Sequence, residues 1–507
     1  MERRVWLPDL AAVAALVTFL YVLFVFQGYS RLFHDSDAGW HIRSGEEILR
    51  SARLPDRDPY SFSRSGARWM NWEWFADLAS GVAHRALGLP GVCVLFAGGI
   101  AATVWCWFQV QWKLGSNWLF ACVLAVPLLG TIQLHWLARP HIYGWVLMLG
   151  ALWWAESKRS SARLALFTAG AALWANVHAS FLFAPALALL YAVCRLLRPW
   201  IWKLDPAEEH AAARYYFWAA ALSAAAGLAN PYGWRLHQHV FEYLGDRELL
   251  SFIGEFQSFN FHAAGSWQIL LAFGLAAAGT LAALRYQRLE HFLLGSALLC
   301  LALISARGLP LAALLLLPIA GAHLSRLWTE LGSTGALRPP LCRFLARGYD
   351  YGERLRRLDR TAAGGFLVPP VAVMICALSA PFLSERVSFP PSEYPVAAAA
   401  RLERLAPELF QPSARLLATD KFGGYLIYRF DGGLKVFFDG RSDFYGRQFL
   451  NDYRRLVQVR PGWPELVARF RFTHALLPSD ASLADALERA GWRVLYRDAA
   501  ATLLKGN

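Results

Sequence analysis

The sequence predicts an α-helical polytopic membrane protein of about eleven transmembrane helices, followed by a small α/β domain outside the membrane. Three observations carry this. Hydrophobic residues make up 56% of the 507 and charged ones only 17%, too apolar a balance for an ordinary soluble enzyme. The apolar runs are close to the ~20 residues that cross a hydrocarbon core. Between them, short basic loops alternate with longer loops rich in Asp, His, Asn and Arg, as expected of two different membrane faces.

In chain order the expected spans are 7–29, 90–112, 117–137, 142–156, 163–176, 181–197, 215–229, 267–284, 291–306, 309–323 and 364–383. No small-residue cleavage site follows the first, so it reads as a retained helix and not a cleaved signal peptide. The segment 30–89 between the first two spans carries helical patterning at 38–49 and 72–87, with Trp and Leu faces suited to lying at the bilayer interface. Beyond the last span the character changes. Strand-like runs at 413–418, 435–438, 474–477, 492–496 and 501–505 interleave with helical ones at 395–405, 463–470 and 483–490. The chain therefore divides into a membrane domain, 1–383, and an outer α/β domain, 384–507.

Charge sets the orientation. Arg3 and Arg4, Lys113, Lys158 with Arg159 and Arg163, Arg195 with Arg198 and Lys203, Arg285 with Arg288, and the run 338–360 all fall on one face. The positive-inside rule makes that face the cytoplasm, so the protein is expected in the cytoplasmic (inner) membrane with its amino terminus in the cytoplasm and its carboxy-terminal domain outside. The net charge of +13 raises the question of nucleic acid, but it is dispersed through membrane-flanking loops. Membrane lipids with anionic headgroups account for it, and no nucleic-acid partner is expected. The seven Cys sit in spans or in the basic loop, which implies neither a disulfide framework nor a Cys-based zinc site.

The candidate chemistry lies on the outward edges. Immediately after the first span comes His34-Asp35-Ser36-Asp37-Ala38-Gly39-Trp40-His41. Its two carboxylates beside imidazoles suit a divalent cation, magnesium or manganese, or one of them serves as a general base. Asp35 or Asp37 equally suits capping of the helix that begins near Ala38. Other outward edges add His135, Arg139 and His141, then Asn176 and His178, then Asn230, Glu255 and Arg307. Polar groups of this cost at span ends point to a shared aqueous cavity, and two Arg among them suit a phosphate whose lipid tail stays in the bilayer. In the outer domain, Asp439, Arg441 and Asp443 are placed to bind sugar hydroxyls or to form an ion-paired loop, and Gly423-Gly424 to let a backbone approach a ligand or to make a strand-to-helix turn.

The Asp35-Ser36-Asp37 element after the first span, the amphipathic loop with Trp40-His41, the Gly45-Glu46-Glu47-Ile48 stretch and Pro55 together resemble the first outward loop of type-C glycosyltransferases. The likeness is greatest to the mannosyl- and aminoarabinosyltransferase-like group. It implies a polyprenyl-phosphate-linked sugar as donor, a lipid, glycan or protein acceptor, Asp35 or Asp37 as the catalytic carboxylate, and Arg307 as a donor-phosphate contact. The commoner Asp-Glu pair of the family is absent. Two other classes fit parts of the pattern: a lipid or glycan transporter or flippase, which lacks the expected inverted repeat, and a non-catalytic glycan-binding envelope protein acting through Asp439 and Arg441.

Overall fold

The computed structural model describes residues 4–333 and 338–506; Arg3 of the basic amino terminus lies outside the described residues. Every expected span coincides with a helix. The first, Leu10–Leu20, is capped by the Asp9 carboxylate and runs into a π-helical turn, Tyr21–Val25. The second belongs to Trp74–Leu114, a helix broken at Gly88, whose φ of 65° sits just before Pro90. That break separates an arm, 74–87, from the span proper. Then come Trp118–Ile132, His141–Ala155, Ser161–Trp174, Phe183–Trp202, Pro206–Ala226, Ser266–Arg285, Leu289–Ile304, Gly308–Ser333 and the pair Val368–Leu378 and Ala380–Arg386. Five of these helices are long and apolar enough to cross a membrane, or six when the last pair, bent by 65°, counts as one span. Gly308–Ser333 is the central helix, sealed by its neighbours almost along its length.

The opposite end of the bundle from the outward motifs is closed by buried ion pairs. Arg288 holds Glu156 at 2.6 Å and Glu290 at 2.7 Å, tying the ends of His141–Ala155 and Leu289–Ile304 together. Removing either partner there would leave a desolvated charge.

The first loop does not lie free on a bilayer surface. Its helix Asp37–Ser51 packs lengthwise on the 74–87 arm, where Gly45 and Gly81 let the two backbones meet. The carboxy-terminal domain rests on the same helix. It is a four-stranded mixed sheet of β1 (Leu416–Ala418), β2 (His474–Pro478), β3 (Arg493–Arg497) and β4 (Ala501–Lys505), in the order β1-β2-β4-β3, with β1 parallel to β2 and the other pairs antiparallel. The run 435–438 is not a strand; Val436 makes only isolated bridges, to Ser61 of the first loop and to Leu416. Two helices join those expected from sequence. Asp420–Arg429 carries Gly423-Gly424 in its interior, and Ser442–Val457 bends at Gly446. The helix carries glycine at these two positions because neighbours crowd them: a Cβ at Gly424 would lie 2.6 Å from the Ser36 carbonyl oxygen.

Candidate active site

The turn that starts the first-loop helix makes the site. Asp35 Oδ1 accepts the Asp37 backbone N–H at 2.9 Å, so the capping role is met by one oxygen. Its other oxygen takes a hydrogen bond from Arg139 Nη1 at 2.7 Å. Asp37 faces Arg139 Nη2 at 3.0 Å and accepts from the Trp40 indole at 3.2 Å. Arg139 stands in the turn between Trp118–Ile132 and His141–Ala155 and also reaches Glu255 at 3.3 Å. Arg307 holds the far side of Glu255 through Nη2 at 2.6 Å and Nε at 2.7 Å, with its guanidinium 4.4 Å from the Phe256 ring centre.

The electrostatics follow. Burial, then the neighbouring Asp35, push the Asp37 carboxyl up to about 7 against the pull of Arg139. Burial works against the charge on Arg139, but Asp35, Asp37 and Glu255 hold it well above the usual arginine range. Burial likewise opposes ionisation of Glu255, and Arg139 and Arg307 overcome it, keeping that carboxylate well below its usual range.

These residues line one cavity of about 1080 Å³, together with His34, Glu73, His135, His141, His178, Lys421 and the edge of the outer domain at Arg441 and Asp443. Span helices supply an apolar part of its lining, with Leu301, Ile304, Leu311 and Met148. Leu301 and Ile304 are exposed side chains near the end of Leu289–Ile304, the helix of an expected span.

Of the other expected residues, His41, Asn176, Asn230 and Asp439 stand behind the cavity. His41 is buried against Asp77 at 2.6 Å. Asn176 accepts from the Trp74 indole at 2.9 Å and donates to the carbonyls of Ala172 and Ala229, a staple between loops. Asn230 folds its own turn, taking the Tyr232 N–H and giving to Gly227 O. Asp439 is fully buried. It and Asp58 of the first loop clamp Arg441 at 2.6 and 2.7 Å, so these two outer-domain residues form an internal ion pair, with only Arg441 Nη1 left without a partner. Asp443 pairs with His239 at 3.0 Å across the cavity rim.

Sequence reasoning missed Glu73, which lines the cavity beside His178, and Asp77 behind it. Both lie in a run that reads as the polar face of an interfacial helix. Their one signal was position, at the start of a helix that follows the candidate loop.

A divalent metal fits the arrangement poorly. Among the described residues no group of three His, Cys, Asp or Glu side chains is placed to hold an ion, and the cation that Asp35 and Asp37 both address is Arg139.

No family model matches the sequence, and no curated protein matches it. Solved structures do. An oligosaccharyltransferase from Archaeoglobus fulgidus, in its apo form, superposes with a TM-score of 0.55 at 9% identity, over 92% of this chain and 69% of that one. ArnT from Cupriavidus metallidurans, bound to undecaprenyl phosphate, gives 0.49 at 15% identity over 98% and 97%. At these identities the likeness is one of fold: the chain is an integral membrane protein that shares the fold of the archaeal oligosaccharyltransferase.

Proposed function

We propose that the protein transfers a sugar from a polyprenyl-phosphate-linked donor to a lipid, glycan or protein acceptor at the outer face of the cytoplasmic membrane. The observation that carries this reading is Arg139, gathered with Asp35, Asp37, Glu255 and Arg307 in a cavity that also has an apolar stretch of span-helix side chains, Leu301, Ile304, Leu311 and Met148. A donor of this class is divided the same way, with a charged phosphate between a sugar and a hydrocarbon chain. Arg139 and Arg307 receive the phosphate, exchanging part of their contact with Glu255 for it. The chain leaves past Leu301 and Ile304, and the sugar rests against Asp35 and Asp37.

The reaction is displacement at the anomeric carbon. The acceptor hydroxyl oxygen forms the new bond, its proton passes to Asp35, and the bond to the phosphate oxygen breaks with its electron pair on the departing polyprenyl phosphate. Asp37 and Arg139 position Asp35 for this. The fold likeness to an oligosaccharyltransferase supports the class of reaction, though not the sugar or acceptor. Mass spectrometry of lipids extracted from the purified protein, followed by transfer assays with the lipid found, tests the reading. Recovery of a polyprenyl-phosphate sugar that is consumed on turnover supports it; a cavity that holds only bulk phospholipid counts against it.

A further inference from the structure

We propose that Glu73 is the proton donor of this cavity: its carboxylic acid, set between His178 and the buried Asp77–His41 pair, protonates the polyprenyl phosphate as it leaves the sugar. The inference rests on the donor class proposed above and assigns the second half of its proton traffic.

The groups that face Glu73 favour the acid form, although at 3.5 and 3.9 Å neither imidazole is hydrogen-bonded to it. Asp77 is completely buried and His41 nearly so. Asp77 Oδ1 lies 2.6 Å from His41 Nδ1, and Asp77 Oδ2 accepts from Asn71 at 2.9 Å. A carboxylate at that place fixes the imidazole proton on Nδ1 and leaves Nε2 bare. That Nε2 has no hydrogen-bond partner among the described residues, and it faces Glu73 Oε2 at 3.9 Å. The other carboxyl oxygen meets a different neighbour. His178 Nδ1 accepts the Ser180 backbone N–H at 3.2 Å, so its proton sits on Nε2, which points at Glu73 Oε1 from 3.5 Å. Glu73 therefore has a donor beside one oxygen and an acceptor beside the other. An ionised carboxylate has nothing to offer a bare Nε2, whereas a carboxylic acid answers both sides.

The surroundings agree. Burial and then Asp77 push the Glu73 carboxyl up to about 8, with Asp443 adding to the effect and Arg139 and Arg307 opposing it. His178 stays neutral beside it, because burial, Arg307 and Arg139 push its imidazole down to about 3. At neutral pH a protonated carboxyl thus stands at the helix start, apart from the Arg139-bound Asp35 and Asp37 side chains of the first loop. Pairs whose environments separate in this way divide acid and base duties.

The step balances. As the anomeric carbon–oxygen bond breaks, its electron pair goes to the phosphate oxygen; the Glu73 O–H bond breaks and its proton joins that oxygen. The acceptor proton goes to Asp35. Exchange with water then restores both carboxyls. His41 and Asp77 are positioning residues, holding Glu73 without touching substrate.

Infrared difference spectroscopy on the full-length protein in detergent, titrated from about pH 6 to about pH 10, reads the protonated carboxyl directly. The probe is undecaprenyl phosphate, its binding followed in parallel by native mass spectrometry. The expected result is a carboxylic acid band that titrates near pH 8, is missing in Glu73→Gln and shifts when the lipid binds. Should Glu73→Gln fail to fold, Glu73→Asp must keep a titrating band at a displaced frequency. His41→Gln should move its midpoint without abolishing it. Lack of a Glu73-dependent band at about pH 6, or a band indifferent to bound lipid, overturns the proposal. A normal band in a protein that binds no undecaprenyl phosphate instead overturns the donor class, and the role given to Glu73 falls with it.

Discussion

Arg441 separates a clamp from a sugar contact. Its guanidinium is sealed between the first loop and the outer domain, bonded to Asp58 at 2.7 Å and to Asp439 at 2.6 and 2.8 Å, and lies 4.6 Å from the Trp69 ring centre. Arg441→Ala leaves two fully buried carboxylates facing each other without a cation. Breaking a buried pair from one side costs about 3–5 kcal/mol, several times the worth of an exposed pair. That loss is enough to detach the domain from the loop. Thermal unfolding of the detergent-solubilised protein should show a midpoint several degrees lower. Limited proteolysis should open sites between the last span helix and β1. Arg441→Met with Asp439→Asn should recover part of the loss, because the double change removes one stranded charge together with its partner. A fully stable Arg441→Ala that has merely lost affinity for a glycan would refute the clamp and return Arg441 and Asp439 to ligand recognition.

Other perturbations address the cavity. Asp35→Asn keeps the acceptor that caps the loop helix but removes the base, so the rate should fall by roughly 10²–10⁴ in a folded protein, measured in a transfer assay beside Asp37→Asn. Arg307→Ala should weaken binding of undecaprenyl phosphate by native mass spectrometry, with Arg307→Lys rescuing it only in part, since an ammonium lacks the planar fork. Gly440→Ala should impair transfer more than stability: Gly440 has φ of 90°, and a Cβ there would lie 2.7 Å from Asp37 Oδ1. Glu73 also predicts a slope in stability against pH. Its carboxyl rises from the usual 4.5 to about 8 in the folded protein, so the folded state binds that proton more tightly. Its contribution is complete below about 4.5 and is lost as pH rises through about 8; Glu73→Gln should flatten the fall in unfolding midpoint across that window.

Much of this site was legible because membranes restrict where polar groups go. Asp35, Arg139, His178, Glu255 and Arg307 come from distant parts of the chain, but each ends or follows an apolar run on the same face, and the cost of burying such groups in lipid gathers them. The same logic failed for Glu73 and Asp77. In an amphipathic run a carboxylate facing water and one facing a buried imidazole have the same spacing, and only the packing of Asp37–Ser51 against the arm distinguishes them. It failed again at Gly423-Gly424. Glycine lowers helix propensity, so the pair reads as a turn, yet close backbone approach to Ser36 and Phe438 is what demands it inside a helix. Asp439 and Arg441 were readable as an ion pair, but sequence carries no sign that Asp58, 383 residues from Arg441, completes it.

The outer domain is consequently part of the site's frame. The Asp35–Asp37 turn is short, and its own hydrogen bonds hold one oxygen of each carboxylate, Asp35 on the Asp37 N–H and Asp37 on the Trp40 indole. Three contacts from the far end of the chain add to them. Gly424 admits the Ser36 carbonyl, Gly440 sits against the Asp37 carboxylate, and the Asp58–Arg441 pair anchors the rest of the loop. A catalytic carboxylate has to be held within a fraction of an ångström of its working position. Removing the domain beyond Ala380–Arg386 leaves Asp35, Asp37, Arg139, Glu255 and Arg307 in the membrane part but takes away the cavity edge at Lys421, Arg441 and Asp443; it should therefore abolish transfer, and adding back the separated domain should restore it only if the Arg441 clamp reforms. Undiminished transfer by the membrane domain alone would show that Arg139 suffices to orient Asp35 and Asp37.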